Sequence, residues 1–368
     1  MPIQAITSSI FTPPLSLEEG RGRAFITFHP TMQIIIGLLI IAIGAFCQSS
    51  SYVPINKVKD WSWESFWLTQ GVFAYVLFPL LGALLTAPAG SSLLALYGAH
   101  PSESLMAMFF GMLWGIGGLT FGLSMRYLGV ALGQSLALGT CAGLGTLLGP
   151  VFTGHFEKLT SAVIIGVIVT LAGIAIIGFA GAMKSASLSE EEKKKAVKDF
   201  NFTRGILVAL LSGFMSACFA IGLDFGAPVA FEGSQPIFAS LPATLLVTFG
   251  GFIINAGYCL FQNRKNHTWV DYGKTSLYAN NLIFCALAGV LWYSQFFGLA
   301  LGKGFLAGSA TLLAFSWCIL MALNVTFSNV WGIILKEWKG CNARTIWVLV
   351  VGLAVLVFST FLPQLLEK

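Results

Sequence analysis

Charge is what this sequence of 368 residues holds least of: 10% of it is Asp, Glu, Lys or Arg, against 56% hydrophobic. That scarcity excludes a nucleic-acid partner, because the net charge of +5 is spread over separate loops and forms no basic face. Histidine is rarer still. His29, His100, His155 and His267 all fall in tails or loops, and none is paired at metal-ligand spacing. No Ser, Cys or metal motif of a catalyst appears, which argues against an enzyme and against any cofactor, leaving only a coupling ion such as the proton. Of seven cysteines, Cys47, Cys141, Cys218, Cys259, Cys285 and Cys318 sit in apolar stretches and Cys341 in a loop, which is neither a disulfide framework nor a metal pattern. The polar residues 1–31 lack the basic start and apolar core of a signal peptide. They are expected to be disordered, with natural translation beginning at Met32.

What the chain has in abundance is apolar length. A mean hydropathy of +0.83 comes from continuous blocks of about 20 residues, the reach of a helix across bilayer hydrocarbon. Ten such blocks read as spans: Met32–Val53, Phe66–Ala87, Leu105–Met125, Val130–Phe152, Ala162–Ala182, Gly205–Leu223, Leu241–Phe261, Leu282–Leu301, Phe305–Phe327 and Ile346–Leu366. The fold class is therefore all-α, a polytopic membrane protein embedded in a lipid bilayer.

The few charges orient it. Fifteen of the 20 Lys and Arg fall in odd-numbered connections, as Lys57, Lys59, Arg126, the six from Lys184 to Arg204, Arg264, Lys265, Lys274, Lys336, Lys339 and Arg344. Positive residues stay inside, so these connections are expected in the cytoplasm and both termini outside. The one long charged run, residues 183–204, follows the fifth span. It separates residues 32–182 from 205–368, and five being odd, the second half must cross in the opposite sense. Two inverted five-helix halves are an architecture that recurs in secondary transporters. Within the run, Glu190–Lys195 places Glu four residues before Lys, which favours a short solvated helix.

Glycines four apart in the third and fourth spans, such as Gly111, Gly115, Gly139 and Gly143, suit close helix packing. Polar positions inside the spans carry more chemistry. Thr248, Gly251, Asn255, Tyr258 and Gln262 share one helical face, as do Asn281, Cys285, Ala288, Trp292 and Gln295, with Tyr293 to one side. Trp114 marks the third span, Trp317 and Asn324 the ninth. Amides that donate and accept, beside indole planes, suit a neutral hydroxyl-bearing ligand such as a sugar. Trp114, Asn255, Asn281, Trp292, Tyr293 and Gln295 are the candidate binding residues, with interhelical bonding as the competing role. Asp224, towards the end of the sixth span, is costly there unless wetted or paired, and is the candidate proton carrier. Glu64, Glu103 and Glu232 read as surface charges.

Several segments resemble a known family in order along the chain. Asn56-Lys-Val-Lys-Asp-Trp-Ser-Trp-Glu64, Leu113-Trp-Gly-Ile-Gly117, Ser124-Met-Arg-Tyr-Leu-Gly129, Ile253-Ile-Asn-Ala-Gly-Tyr258, Leu291-Trp-Tyr-Ser-Gln-Phe-Phe297 and Leu335-Lys-Glu-Trp338 are similar to the bacterial L-rhamnose–proton symporters of the drug/metabolite transporter superfamily. The resemblance covers about Met32 to Leu366. It implies ten helices with both termini periplasmic, and uptake of L-rhamnose with protons across the bacterial inner membrane. The alternatives are a transporter of another sugar or metabolite, and a sugar-sensing membrane receptor.

Overall fold

The computed structural model describes residues 29–55, 57–128, 130–187, 201–336 and 338–367. The expected disordered tail, residues 1–31, lies outside that description over 1–28, while Pro30 and Thr31 already belong to the first helix; the expected helix over Glu190–Lys195 falls within 188–200, also outside it. Among the described residues there is no strand, and ten helices are long and apolar enough to cross a bilayer. They are α1 (Pro30–Ser50), α2 (Trp63–Leu85), α3 (Pro101–Leu128), α4 (Val130–Phe152), α5 (Ser161–Ala186), α6 (Phe202–Phe225), α7 (Leu241–Asn266), α8 (Thr275–Phe305), α9 (Ala310–Ile334) and α10 (Ala343–Leu366). Several starts are set by capping side chains: Ser62, Asn201, Ser309 and Asn342 each accept from a backbone N–H in the first turn that follows.

Two features lay beyond the pattern of apolar runs. A short helix, Leu93–Ala99, lies in the connection after α2. Inside α2, Val72–Leu77 widen into a π-helical turn just before Pro79. Proline has no N–H and its ring crowds the carbonyl four residues back, here that of Tyr75, so the helix opens where Tyr75 must turn inward.

The odd-numbered connections gather at one end of the bundle. Ser62 N–H donates to Asp271 Oδ2 at 2.7 Å, tying the α1–α2 link to the α7–α8 link. Trp331 Nε1 donates to Ser50 Oγ at 2.9 Å, Asn201 N–H to the Tyr127 carbonyl at 3.2 Å, and the Lys184 ammonium lies 4.9 Å from the Trp338 ring. This basic end contrasts with the far end, where Tyr97 Oη meets the Pro242 carbonyl at 3.2 Å.

Packing crosses between the halves more than it stays within them. The most extensive pairs are α3 with α6, α4 with α6, α1 with α8, α5 with α10 and α3 with α7. Shifting every helix number by five carries α1–α8 onto α6–α3, α1–α9 onto α6–α4 and α2–α8 onto α7–α3, all of them contacting pairs. One group, α1, α8 and α9, therefore faces another, α3, α4 and α6.

Glycine makes the tightest of these crossings. A Cβ on Gly111 would strike the Val247 backbone, and one on Gly250 the Met108 carbonyl. Lipid supplies no hydrophobic drive between helices, so close backbone approach is what holds them. Gly111→Val is expected to cost about 1–3 kcal/mol and lower the melting temperature in detergent, while Gly257→Ala, with nothing within 4 Å, leaves it unchanged. Equal melting of both variants would refute the crossing as a stability determinant.

Candidate functional site

Between the two helix groups lies a cavity of about 150 Å³. Its walls carry Gln48 from α1, Trp67 and Tyr75 from α2, Trp114 and Phe121 from α3, Gln134 and Cys141 from α4, Ser216 from α6, Trp292, Gln295 and Phe296 from α8, and Trp317, Asn324 and Ser328 from α9. None of the described lining residues is an Asp, Glu, Lys, Arg or His. It is a neutral site of indoles and amides.

The aromatic walls are held by what lies behind them. Trp114 occupies the space over Gly251, and Trp317 that over Gly145; a Cβ at either glycine would collide with the ring. Trp317 Nε1 donates to the Cys141 carbonyl at 3.2 Å. Tyr75, on the widened turn of α2, meets Trp292 edge-on at 4.7 Å and Trp114 at 5.4 Å, and the two indoles are 5.7 Å apart. On α8 and α9, Asn324 Nδ2 donates to Gln295 Oε1 at 2.8 Å, and Gln295 Nε2 to the Trp292 carbonyl at 3.2 Å.

The cavity has a closed side and an open side. Towards the far end Phe219 of α6 stacks on Phe296 of α8 at 3.9 Å and 14°, and lies parallel to Trp317 of α9 at 5.6 Å. Phe219 is fully buried and Phe296 and Trp317 nearly so. Beyond them Phe110 stacks on Phe225 at 5.2 Å. Towards the basic end the lining residues Gln48, Phe121, Gln134 and Ser328 are only half-buried. The pocket is thus closed by stacked rings towards the far end and more exposed towards the basic end.

Three of the six expected binding residues, Trp114, Trp292 and Gln295, come together on this wall; of the other three, Asn255 and Asn281 are bonded elsewhere, and Tyr293 lies off the cavity with its hydroxyl unpartnered among the described residues. Asn255 accepts from Trp67 Nε1 at 2.9 Å and donates to the carbonyls of Gly251 and Gly115 at 2.8 and 3.3 Å, so it joins α3 to α7 and aims Trp67. Asn281 clamps the α1–α2 link from both sides, accepting from Lys59 N–H at 3.0 Å and donating to the Lys59 carbonyl at 2.8 Å. Tyr293 is buried away from the cavity, facing Gly82. Gln48, Gln134 and Asn324 are the further amides that line the cavity. Asn324 shows as an amide in an apolar run, whereas Gln48 and Gln134 sit near helix ends and read as rim polarity.

The carboxylates also fall differently from expectation. Glu64 is buried, not a surface charge, and accepts from Asn266 Nδ2 and Thr268 Oγ1, both at 2.9 Å. Asp271 beside it is disfavoured by burial, but its bonds from Lys274 and Ser62 prevail and hold it below the usual carboxylate range. Glu232 is exposed and Glu103 half-buried. Asp224 lies on the far side of the aromatic closure, against Gly149, within the electrostatic reach of Lys303, Lys158 and His155. Its carboxylate makes no hydrogen bond or ion pair among the described residues.

A neutral amide and indole cavity lined from seven of the ten helices is the setting in which the comparisons with known proteins fall. Residues 31–365 match the family of the L-rhamnose-proton symport protein (RhaT). The chain belongs to that family. An L-rhamnose-proton symporter of Shigella dysenteriae serotype 1 is 32% identical over 342 residues, covering 89% of this chain and 96% of the relative. Symporters of the same name from Yersinia pestis (strain Pestoides F) and Yersinia pseudotuberculosis serotype O:1b are 31% identical over 340 residues, with the same coverage. Family membership together with the ten apolar helices makes this a multi-pass membrane protein of the transporter kind. The family-like Asn56–Glu64 segment owes its position to Asn281, Asn280, Asp271 and Lys274, all of which bond to it or to the first turn that follows.

Asn281→Ala leaves both polar groups of Lys59 without their clamp. A loss of about 1–3 kcal/mol is expected, read as a lower melting temperature of the purified protein. Wild-type melting would show that Asn281 is not structural.

Proposed function

We propose that this protein carries L-rhamnose inward across a bacterial inner membrane together with protons, by alternating access, with the basic end in the cytoplasm and both termini periplasmic. The observation that carries the reading is the uncharged, indole-walled cavity clasped between two helix groups in a member of this family. Ligand pockets are concave, largely apolar and furnished with a few convergent polar groups, and amides suit hydroxyls while indoles suit the apolar face and methyl of a 6-deoxy sugar. Trp114 and Trp292 would cover that face, and Gln295, Gln48, Gln134 and Asn324 would meet the hydroxyls.

On this reading the conformation is inward-open. Fifteen cations on the odd-numbered side favour the cytoplasm for the basic end, and the Phe219–Phe296–Trp317 stack would then be the periplasmic closure. Opening that stack while bringing Gln48 and Ser328 towards Phe121 and Gln134 would expose the same walls to the other side, as in transporters built from inverted repeats. The two inverted halves would supply the symmetry, and the intertwined groups α1–α8–α9 and α3–α4–α6 the moving parts. Asp224 on α6 and Lys303 on α8 belong to opposite groups at the closed end. Asp224 would take up its proton from the periplasm when these groups part, and be neutral as the loaded carrier closes.

Uptake into proteoliposomes tests substrate and ion together. Labelled L-rhamnose should accumulate when the outside is made acidic and only equilibrate without a pH gradient. Accumulation indifferent to the gradient would remove proton coupling; uptake of other sugars in preference to rhamnose would change the substrate. Asp224→Asn should lose accumulation yet keep rhamnose exchange at equal concentrations. An Asn variant that still concentrates the sugar would exclude Asp224 as the sole carrier.

A further inference from the structure

Asn324 is more than one polar residue among several on the cavity wall, because the chain of amides it ends has a polarity that the backbone dictates. The Trp292 carbonyl can only accept. It therefore draws the amide nitrogen of Gln295, at 3.2 Å, and turns the Gln295 oxygen the other way. That oxygen in turn draws the amide nitrogen of Asn324, at 2.8 Å, and turns the Asn324 oxygen away from both. Flipping either amide would set two like groups against each other. The backbone of Asn324 is pinned as well, since its own carbonyl accepts from Ser49 Oγ of α1 at 3.2 Å.

The outcome is one acceptor with nothing to accept. Asn324 is 5% exposed, it lines the cavity, and its Oδ1 finds no hydrogen-bond partner among the described residues. A buried acceptor without a donor is destabilising, and a ligand that supplies the donor recovers that loss.

We infer that Asn324 Oδ1 is the specificity-determining acceptor of the sugar site, reading one hydroxyl of the sugar as a hydrogen-bond donor. The inference rests on the reading that this cavity holds L-rhamnose. It adds that the cavity tests the direction of a hydrogen bond as well as the presence of a polar group. A ring substituent that only accepts is rejected at that position like one that does neither, because it would face the Asn324 oxygen with no proton to share.

The experiment is calorimetric titration of the full-length protein in detergent with L-rhamnose and with analogues in which each ring hydroxyl in turn is replaced by hydrogen or by fluorine. At one position both replacements should weaken binding by about tenfold or more, because fluorine cannot donate. This series uses the wild-type protein and needs no variant to fold. In Asn324→Ala, checked by size exclusion and melting, rhamnose should bind weakly and discrimination at that one position should disappear. A fluoro analogue that binds like rhamnose at every position, or discrimination that survives in Asn324→Ala, would overturn the assignment. The cavity reading fails separately: a folded Trp114→Ala variant that binds rhamnose as the wild type does would show that the sugar sits elsewhere.

Discussion

Within a bilayer a polar group has no solvent to fall back on, and this constraint governs the described bundle. Most hydroxyls in the spans turn back on their own helix. Thr69, Thr120, Thr146, Thr170, Ser294 and Thr326 each donate to the carbonyl four residues earlier. The larger amides tie segments together: Asn255 joins α3 to α7, and Asn281 holds the α1–α2 link. A polar residue at membrane depth is thus as readily a fastener as a ligand contact, and it takes both unspent bonding capacity and a place on the cavity wall, as at Asn324, to point to the second.

That is why the fold was legible in the sequence and only part of the candidate cavity's lining was. Ten apolar runs of bilayer length and a one-sided distribution of Lys and Arg leave little freedom in an all-helical membrane chain. Helical periodicity then placed Asn281, Trp292 and Gln295 on one face of α8, correctly as geometry. It could not tell that Asn281 lies near the end of that face where Lys59 passes, while Gln295 lies four turns on, beside Asn324. Asn255 was similarly well placed on its face, but Gly115 and Gly251 approach so closely that their carbonyls take both its protons. The deciding information is which backbone passes each side chain, and that depends on cross-half packing.

The glycines do two different jobs in this architecture. At Gly111 and Gly250 they let α3 and α7 touch backbone to backbone, which fastens α7 to the α3–α4–α6 group. At Gly251 and Gly145 they make room for Trp114 and Trp317, so the largest side chains stand at the boundary between groups. An indole seated over a glycine packs closely on that side and meets the other rings of the cavity wall on the other, as Trp114 meets Tyr75, Trp292 and Phe219. The stack of Phe219 on Phe296 and Trp317 crosses from α6 to α8 and α9, joining the two groups by dispersion between flat faces. Such a contact has few directional hydrogen bonds to break when the groups separate.

A neutral cavity also constrains how a proton can be coupled to a sugar. If the cavity holds the sugar and Asp224 the proton, as proposed, no Asp, Glu or His among the described lining residues lets one act on the other by direct contact. Each would then bias the equilibrium between the two openings of the cavity. Asp224 and Lys303 stand on opposite groups at the closed end; Gln295 and Asn324 stand on α8 and α9, facing Gln134 and Ser216 of α4 and α6 across the cavity. Both proposed sites therefore span the same seam, one at its end and one at its middle. On the proposed function, whatever free energy the proton contributed to parting or closing that seam would appear as a change in sugar affinity, and by linkage the sugar would change the proton affinity by the same factor. Coupling would then be a property of the seam, set by how tightly the far end closes over a cavity whose described walls carry no charge.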